Sequence, residues 1–497
     1  MTPTQEDIKL LKQPSRTIYA KFDVLNINFK TVGSLEGKMI SDTYSYDADS
    51  DIRKTANISL YVSDSSLVIG NNGQVWFDKY LKLYVGLLNL YINKIVWYEI
   101  GTFVYVDVGY QYDATTKQLD INISDMMVLL NGTRNGEISG LSTSIGANAS
   151  IRGAMVYAVN QLGRIQKYRI EDPNELVPYD LDFSTGATVY EIIKELRDLY
   201  IGWQTYFDND TFVYEPYPVT TDYPIVLDDS IMQDLIISES ESTSFSDVYN
   251  VVEVWGKCLE TDTYTTDVSY NSTTNTYTLT NSAIESLEDG VMYGFKANVQ
   301  NNGNDYIKIN SFTSYPLYGK YEEDFSAGKI DKDKSYVIKY MSNGSQSYFY
   351  FCGEYQICAV AKLISKELAD TDAVIADISN EPTSNVNFIA EHNTPFGIDL
   401  IGEQRKVLSG GEYDNIYSED LAMQRAKYEL WKYSDMKDEI TLTMIDIPWL
   451  DVNQKVEYTS QSTGIKDVYI IKKKQSSTTG GTMTLSLVKF VPIYSWA

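Results

Sequence analysis

The feature that most constrains this chain is a two-residue alternation of apolar and polar side chains, repeated in short stretches. In AKFDVLNINF, residues 20–29, Phe22, Val24 and Asn26 face one way while Asp23, Leu25, Ile27 and Phe29 face the other. In TANISLYVS, residues 55–63, Ile58, Leu60 and Val62 share a face. WFDKYLKLYVGLL, VWYEIGTFVYVDVGY and KQLDINISD continue the series. A period of two is that of a strand with one buried face, and strands so regularly spaced predict a closed or sandwiched sheet. The 41 Tyr, 16 Phe and 7 Trp point the same way, because aromatic side chains suit pleated, half-buried surfaces.

After Asp125 a helical period appears. In SIRGAMVYAVNQLG, Ile151, Met155, Ala158 and Leu162 fall on one face and Gly163 supplies a stop. RIQKYRI reads as a strand. In TVYEIIKELRDLYIG, Thr188 and Glu191 form a capping-box pattern ahead of a stripe of Val189, Ile192, Ile193, Leu196, Leu199 and Tyr200, and Gly202 ends the helix. WQTYFDNDTFVYEPY predicts a hairpin turning at Asp208-Asn209-Asp210. Residues 126–245 therefore read as an α+β domain. VYNVVEVWGK resumes the strand pattern, and residues 258–356, rich in Thr, Asn, Tyr and Gly, read as an inserted small all-β module. KELADTDAVIADIS fits a helix or a loop. YSEDLAMQRAKYELWKY predicts a helix capped by Ser418, with Glu419 and Asp420 in its first turn and Ala422, Ala426, Leu430 and Tyr433 inward. EITLTMIDI, KVEYTS, DVYIIKKK and MTLSLVKFV close the chain as strands.

The 497 residues suffice for three or four domains. Their 41 basic and 68 acidic residues give a net charge of −27, which opposes tight binding to nucleic-acid phosphates. Three cysteines, Cys258, Cys352 and Cys358, supply neither a disulfide framework nor a four-thiolate zinc site. The opening MTPTQEDIKLLK lacks the apolar core of a signal peptide. The most apolar stretch, LKLYVGLLNLYINKIVWYEI, carries Lys82, Asn89, Asn93 and Lys94 and reads as buried strands, so no membrane span is expected. A soluble protein made in a reducing cytoplasm is the expectation.

Reactive groups are few. His392 is the single histidine and would have to serve any Ser–His or Cys–His pair. It lies in a polar, Pro-containing segment and reads as a loop or barrel-edge residue. Cys352 and Cys358 read as buried small apolar residues. Asp47, Asp49 and Asp51 resemble the start of a calcium loop, but Ile52 stands where that loop needs Gly and no closing Glu follows. They read as a solvated turn, Asp208 and Asp210 as hairpin-turn residues, and Lys472-Lys473-Lys474 as a solvated strand end, with pairing to an acidic neighbouring subunit as the minority reading. No catalytic, cofactor-binding or metal-ligating residue is assigned, and no cofactor is expected. A glycan-degrading enzyme would need two carboxyls about 5 or about 6.5–9.5 Å apart in a sugar-sized cleft.

The order of the pieces resembles the phage baseplate hub family, the central hub proteins of the tail tip. Three stretches carry the likeness: ISDMMVLLNGTRNG with the following helix and GRIQKYRI; VYEIIKELRDLYIGWQTYFDNDTFVYEP; and YSEDLAMQRAKYELWKY with Pro448, Leu450, Asp451 and MTLSLVKF. The likeness covers about four fifths of the chain. It implies a mainly β fold with two tail-tube-like barrels, one from residues 1–125 and one from 246–257 with 357–497, beside the α+β domain. It also implies a homotrimer at the virion tail tip that adapts a sixfold tube to a threefold end and leaves a channel for DNA ejection. The implied partners are a tail tube or distal tail protein above, a tip, spike or fibre protein below, and a tape measure protein in the channel. The stretch LEDGVMYGFKANVQNNGNDYIKINSFTSYPLYGKYEEDFSAGKIDKDKSYVIKYMSNGSQSYFYF is similar to small β modules of tail fibres and baseplates, which either touch a host-surface glycan or decorate the particle. A carbohydrate-binding adhesin is the alternative function, and a glycan-degrading tail enzyme the next.

Overall fold

The computed structural model describes residues 4–34, 39–61, 69–71, 73–112, 117–140, 143–178, 180–218, 223–319, 324–342, 346–365, 387–392, 394–477 and 480–492. Val62 and the KELADTDAVIADIS segment lie outside the described residues. The fold is mainly β and divides into two compact units. One comprises the described residues of Met1–Asp247 and Met436–Ser495; the other is built on Val248–Asp435.

The first unit holds a nearly closed, barrel-like sheet of 13 strands. Seven strands come from residues 18–124 and six from residues 225–244 and 437–489. The two sets meet along one seam, where Lys466–Ser477 runs antiparallel to Met39–Asp47 and pairs Lys474 with Tyr46 and Ser476 with Tyr44. Alternation buries one face as the sequence predicts: Leu81, Leu83, Val85 and Leu87 are buried against Phe22, Val24, Ile58 and Leu60. The apolar stretch around them forms the hairpin of Tyr80–Asn89 and Lys94–Tyr112, and no helix among the described residues is long and apolar enough to cross a membrane. The first strand stops at Leu25, short of the expected Phe29. The Asn26 side chain accepts from the main-chain N–H of Asn28 and Lys30 and folds the chain into a turn.

The helices and hairpin expected within residues 126–245 appear where the sequence places them, whereas Ile225–Leu227 and Ile236–Ser244, grouped with them, join the 13-stranded sheet. Thr188 Oγ1 accepts from the Glu191 N–H at 3.2 Å and Glu191 accepts from the Thr188 N–H at 2.6 Å, closing the capping box of helix Val189–Asp198. Ile192, Ile193 and Leu196 pack with Ile151, Met155 and Ala158 of the other helical segment. Strands Trp203–Asp208 and Thr211–Pro216 form the hairpin, turning at Asn209 with φ 56°.

In the second unit, Asn387–His392, Gln356–Ser365, Val251–Cys258 and Arg405–Leu408 make a four-stranded sheet. Helix Glu419–Tyr433 lies on it through Ala422, Ala426 and Leu430. Residues 263–354 form a separate eight-stranded sheet around Tyr277, Phe295, Ile307, Ile338 and Phe349. Cys258 opposes Gln356, so the stretch leaves and re-enters the unit on neighbouring strands.

The grouping of 246–257 with 357–497 is corrected by this topology. Val251–Cys258 pairs with Gln356–Ser365 and Arg405–Leu408, whereas the closing strands after Met436 join the N-terminal sheet and Ile236–Ser244. Alternation says that a segment is a strand with one wet face; it does not say which distant strand completes its ladder.

Candidate functional site

A cleft of about 520 Å³ opens in the first unit. The hairpin Trp203–Asp208/Thr211–Pro216, the start of strand Lys54–Tyr61 and the loop around Pro448–Gln454 form its walls. Each wall contributes charge. Arg53, 6% exposed, lies with its guanidinium 4.0 Å over the Tyr206 ring and donates to Gln204 Oε1 at 3.0 Å. Gln204 in turn donates to Glu215 Oε1 at 3.2 Å, and Asn453 Nδ2 donates to Gln204 Oε1 at 2.7 Å. The hydroxyl of Tyr206 donates to Glu215 at 2.7 Å, and Arg169 pairs with Glu215 at 3.0 Å.

Lys54 Nζ meets Asp451 Oδ2 at 2.6 Å. Burial pulls the Asp451 carboxyl up, but Lys54 and then Arg53 overcome it and hold the group below its ordinary value, so it stays ionised. Arg53 is lowered by burial, against the pull of Asp451, Tyr206, Asp125 and Glu215. Asp125, almost fully buried, accepts the main-chain N–H of Lys54 at 2.9 Å and of Met127 at 3.0 Å, capping the turn that starts the α+β part. Burial raises its pKa, and these donors oppose the rise.

Behind the cleft sits a third buried cation, after Arg53 and Lys54. Lys474 is 2% exposed and donates to the carbonyls of Ile447 at 2.7 Å and Leu450 at 3.1 Å, with the Asp446 carboxylate at 3.9 Å. This corrects the solvated strand-end reading of the lysine run. A bulge between Ile471 and Lys473 turns Lys474 inward, Lys472 pairs with Asp49 at 2.8 Å, and Lys473 pairs with Asp47 at 3.0 Å. The ammonium wraps the 447–450 loop around itself, and that loop carries Asp451 into the cleft. Chemically the arrangement is a tie: each carboxylate named here is engaged by a cation or by N–H and O–H donors.

The other residues singled out in the sequence are scattered. His392 ends an edge strand opposite Ser365. Cys358 is buried and Cys258 exposed, while Cys352 is only half-buried, a correction to its fully buried reading; burial pushes its thiol up to about 11. Asp47 and Asp49 receive the two lysines, Asp51 accepts the Tyr190 hydroxyl, and Asp210 pairs with Lys167. Asp208 stands exposed at the hairpin turn. Among the described residues no group of three or more His, Cys, Asp or Glu is placed to hold a metal ion. Sequence reasoning missed Arg53, Lys54, Asp446 and the burial of Lys474. The available signal was the inward position of Lys474 beside Ser476, legible only once the bulge is known.

Residues 393–494 match a family described as a domain of unknown function, DUF5048. No curated protein matches the sequence. Among solved structures, the chain is similar to a tail protein from Neisseria meningitidis MC58, at 10% identity and TM-score 0.47, over 95% of this chain and 96% of that one. It is similar to the 43 kDa tail protein of prophage MuSo2 from Shewanella oneidensis, at 10% identity and TM-score 0.48, over 96% and 98%. A third is the prophage tail protein gp18 from Listeria monocytogenes EGD-e, at 10% identity and TM-score 0.43, over 94% of each chain.

Proposed function

We propose that the chain is a structural component of a phage tail tip, acting as a homotrimeric central hub rather than as a catalyst. The observation that carries this reading is the doubled sheet: seven strands from the front of the chain and six from residues 225–244 and 437–489, joined along one seam. An adaptor between a sixfold tube and a threefold end needs two comparable surfaces per subunit, and a sheet with two such halves supplies them. The Lys54–Asp451 pair and the Lys474 cage hold the cleft loop in place, a role suited to a rigid ring. The charge of −27 becomes −81 in a trimer, three times −27, which favours a channel wall that leaves DNA mobile.

The test is the mass of the purified protein with images of assembled tails. The expected result is a particle of three times 56.4 kDa and a threefold ring at the tip. A monomer or a hexamer in both measurements overturns the hub.

A further inference from the structure

The inserted sheet touches the rest of its unit through a cluster of charge that the hub reading does not use. Lys334, at the start of strand Ser335–Ser342, pairs with Glu419 in the first turn of helix Glu419–Tyr433. The same ammonium stands 3.7 Å from Glu354 at the end of strand Ser347–Glu354 and 3.7 Å from Asp331. Three carboxylates thus crowd one cation, two of them from the inserted sheet and one from the helix. The chain is irregular where the sheet joins the unit: in the connecting strand Val251–Cys258 the register shifts between Trp255 and Cys258, and in the inserted strand Ser347–Glu354 Gly353 adopts φ 119°. One connecting strand and the last strand of the inserted sheet are thus irregular at the junction, and Glu354 of the Lys334 cluster stands beside it.

We propose that Glu354, Lys334 and Glu419 form a proton-operated latch that fixes the inserted sheet against helix Glu419–Tyr433. With Glu354 protonated, Lys334 is shared by Asp331 and Glu419 and the sheet stays docked. With Glu354 ionised, the excess negative charge is relieved when Glu354 gains water and Glu419 separates from the sheet. Burial, and then Glu419, push the Glu354 carboxyl up to about 7, while Lys334 and Asp331 oppose or add to that. Among the described residues Tyr336 also faces the cluster; it is pushed up to about 12 by burial and keeps its proton. Lys334, despite its burial, is held above its ordinary value by Glu419 and Glu354 and keeps its charge. Glu354 is a raised carboxyl, so the docked state it favours is complete below the ordinary Glu range and is lost as pH rises through about 7.

The experiment is a spin-label distance measurement on the full chain, with Thr273→Cys on the inserted sheet, Gln424→Cys on the helix and Cys258→Ser removing the exposed thiol. From about pH 5.5 to about pH 8.5, the single docked distance should be lost with a midpoint near 7. Glu354→Gln should keep the docked distance at both ends of the range, and Lys334→Met should lose it at both. An unchanged distance across the range in the labelled wild type, or a pH response that survives Glu354→Gln, overturns the latch.

Discussion

The 13-stranded sheet of the first unit and the eight-stranded inserted sheet solve the same packing problem with different materials. The inserted sheet draws its strands from one contiguous stretch, residues 263–354, and fills its core with Tyr277, Phe295, Ile338 and Phe349. Buried Asn301 and Asp305 find their partners within the same stretch: Asn301 donates to Asp305 at 2.7 Å and to the Ser326 carbonyl at 2.8 Å, and Asp305 accepts the Tyr270 hydroxyl at 2.8 Å. The larger sheet joins segments hundreds of residues apart and buries Lys54, Lys474 and Asp446 where they meet. Ions are expensive to bury, and apolar replacements are often no less stable, so stability alone does not explain them. A seam between distant strands must choose one register among many, and a slip of one residue would leave these charges unpaired. Local sheets can rely on fit, whereas the long-range seam is marked by charge.

A seam marked by charge should not tolerate its loss. Lys474→Ala orphans the carbonyls of Ile447 and Leu450 and leaves Asp446 without its ammonium. Breaking a buried pair in this way costs about 3–5 kcal/mol. Denaturant unfolding should show that loss in the first unit, while aromatic near-ultraviolet signals of the inserted sheet keep their midpoint. A cost under about 1 kcal/mol, the value of a surface pair, removes charge as the seam's marker.

The converse substitution sharpens the same contrast. Ile338 is fully buried in the inserted sheet, and Ile338→Ala should cost about 2–4 kcal/mol by transfer and cavity terms. Because that sheet is built from contiguous residues, the damage should stay within it. Hydrogen exchange should speed up across residues 263–354 and leave the first unit's strands protected. Faster exchange in both would mean that the two sheets do not fold as separate designs.

What was legible in the sequence divides along the same line. The capping box at Thr188 and Glu191, the Ser418 cap and the hairpin at Asp208–Asp210 are local chemistry, and each appears where its residues predict. The inserted sheet was readable as a change of texture because its strands pair within one stretch. The seam was not readable. DVYIIKKK and YSYD become partners across more than 400 residues, and nothing in either alternation names the other. The cleft was hidden for the same reason, since Lys54 and Asp451 lie 397 positions apart.

The smallest expected effect tests the seam principle at a partly exposed site. Glu239, on the edge strand Ile236–Ser244, receives Ser460 Oγ at 3.0 Å, the N–H groups of Gln461 at 2.9 Å and Ser462 at 3.0 Å, and the Tyr458 hydroxyl. It thus ties two segments more than 200 residues apart. Burial would raise its carboxyl, but the Tyr458 hydroxyl and the loop N–H donors pull it down to about 2. A depressed carboxyl contributes stability that is present above the ordinary Glu range and lost as pH falls through its folded value. The window is therefore from about 4.5 down to about 2. Solvent screening at this site reduces the contribution to under about 1 kcal/mol. Glu239→Gln should accordingly lower the first unit's stability by its full amount near neutrality and flatten the acid limb of its stability curve in that window, the two proteins converging toward about pH 2. An acid limb of unchanged slope would show that this long-range tie, unlike Lys474, is held by shape and not by charge.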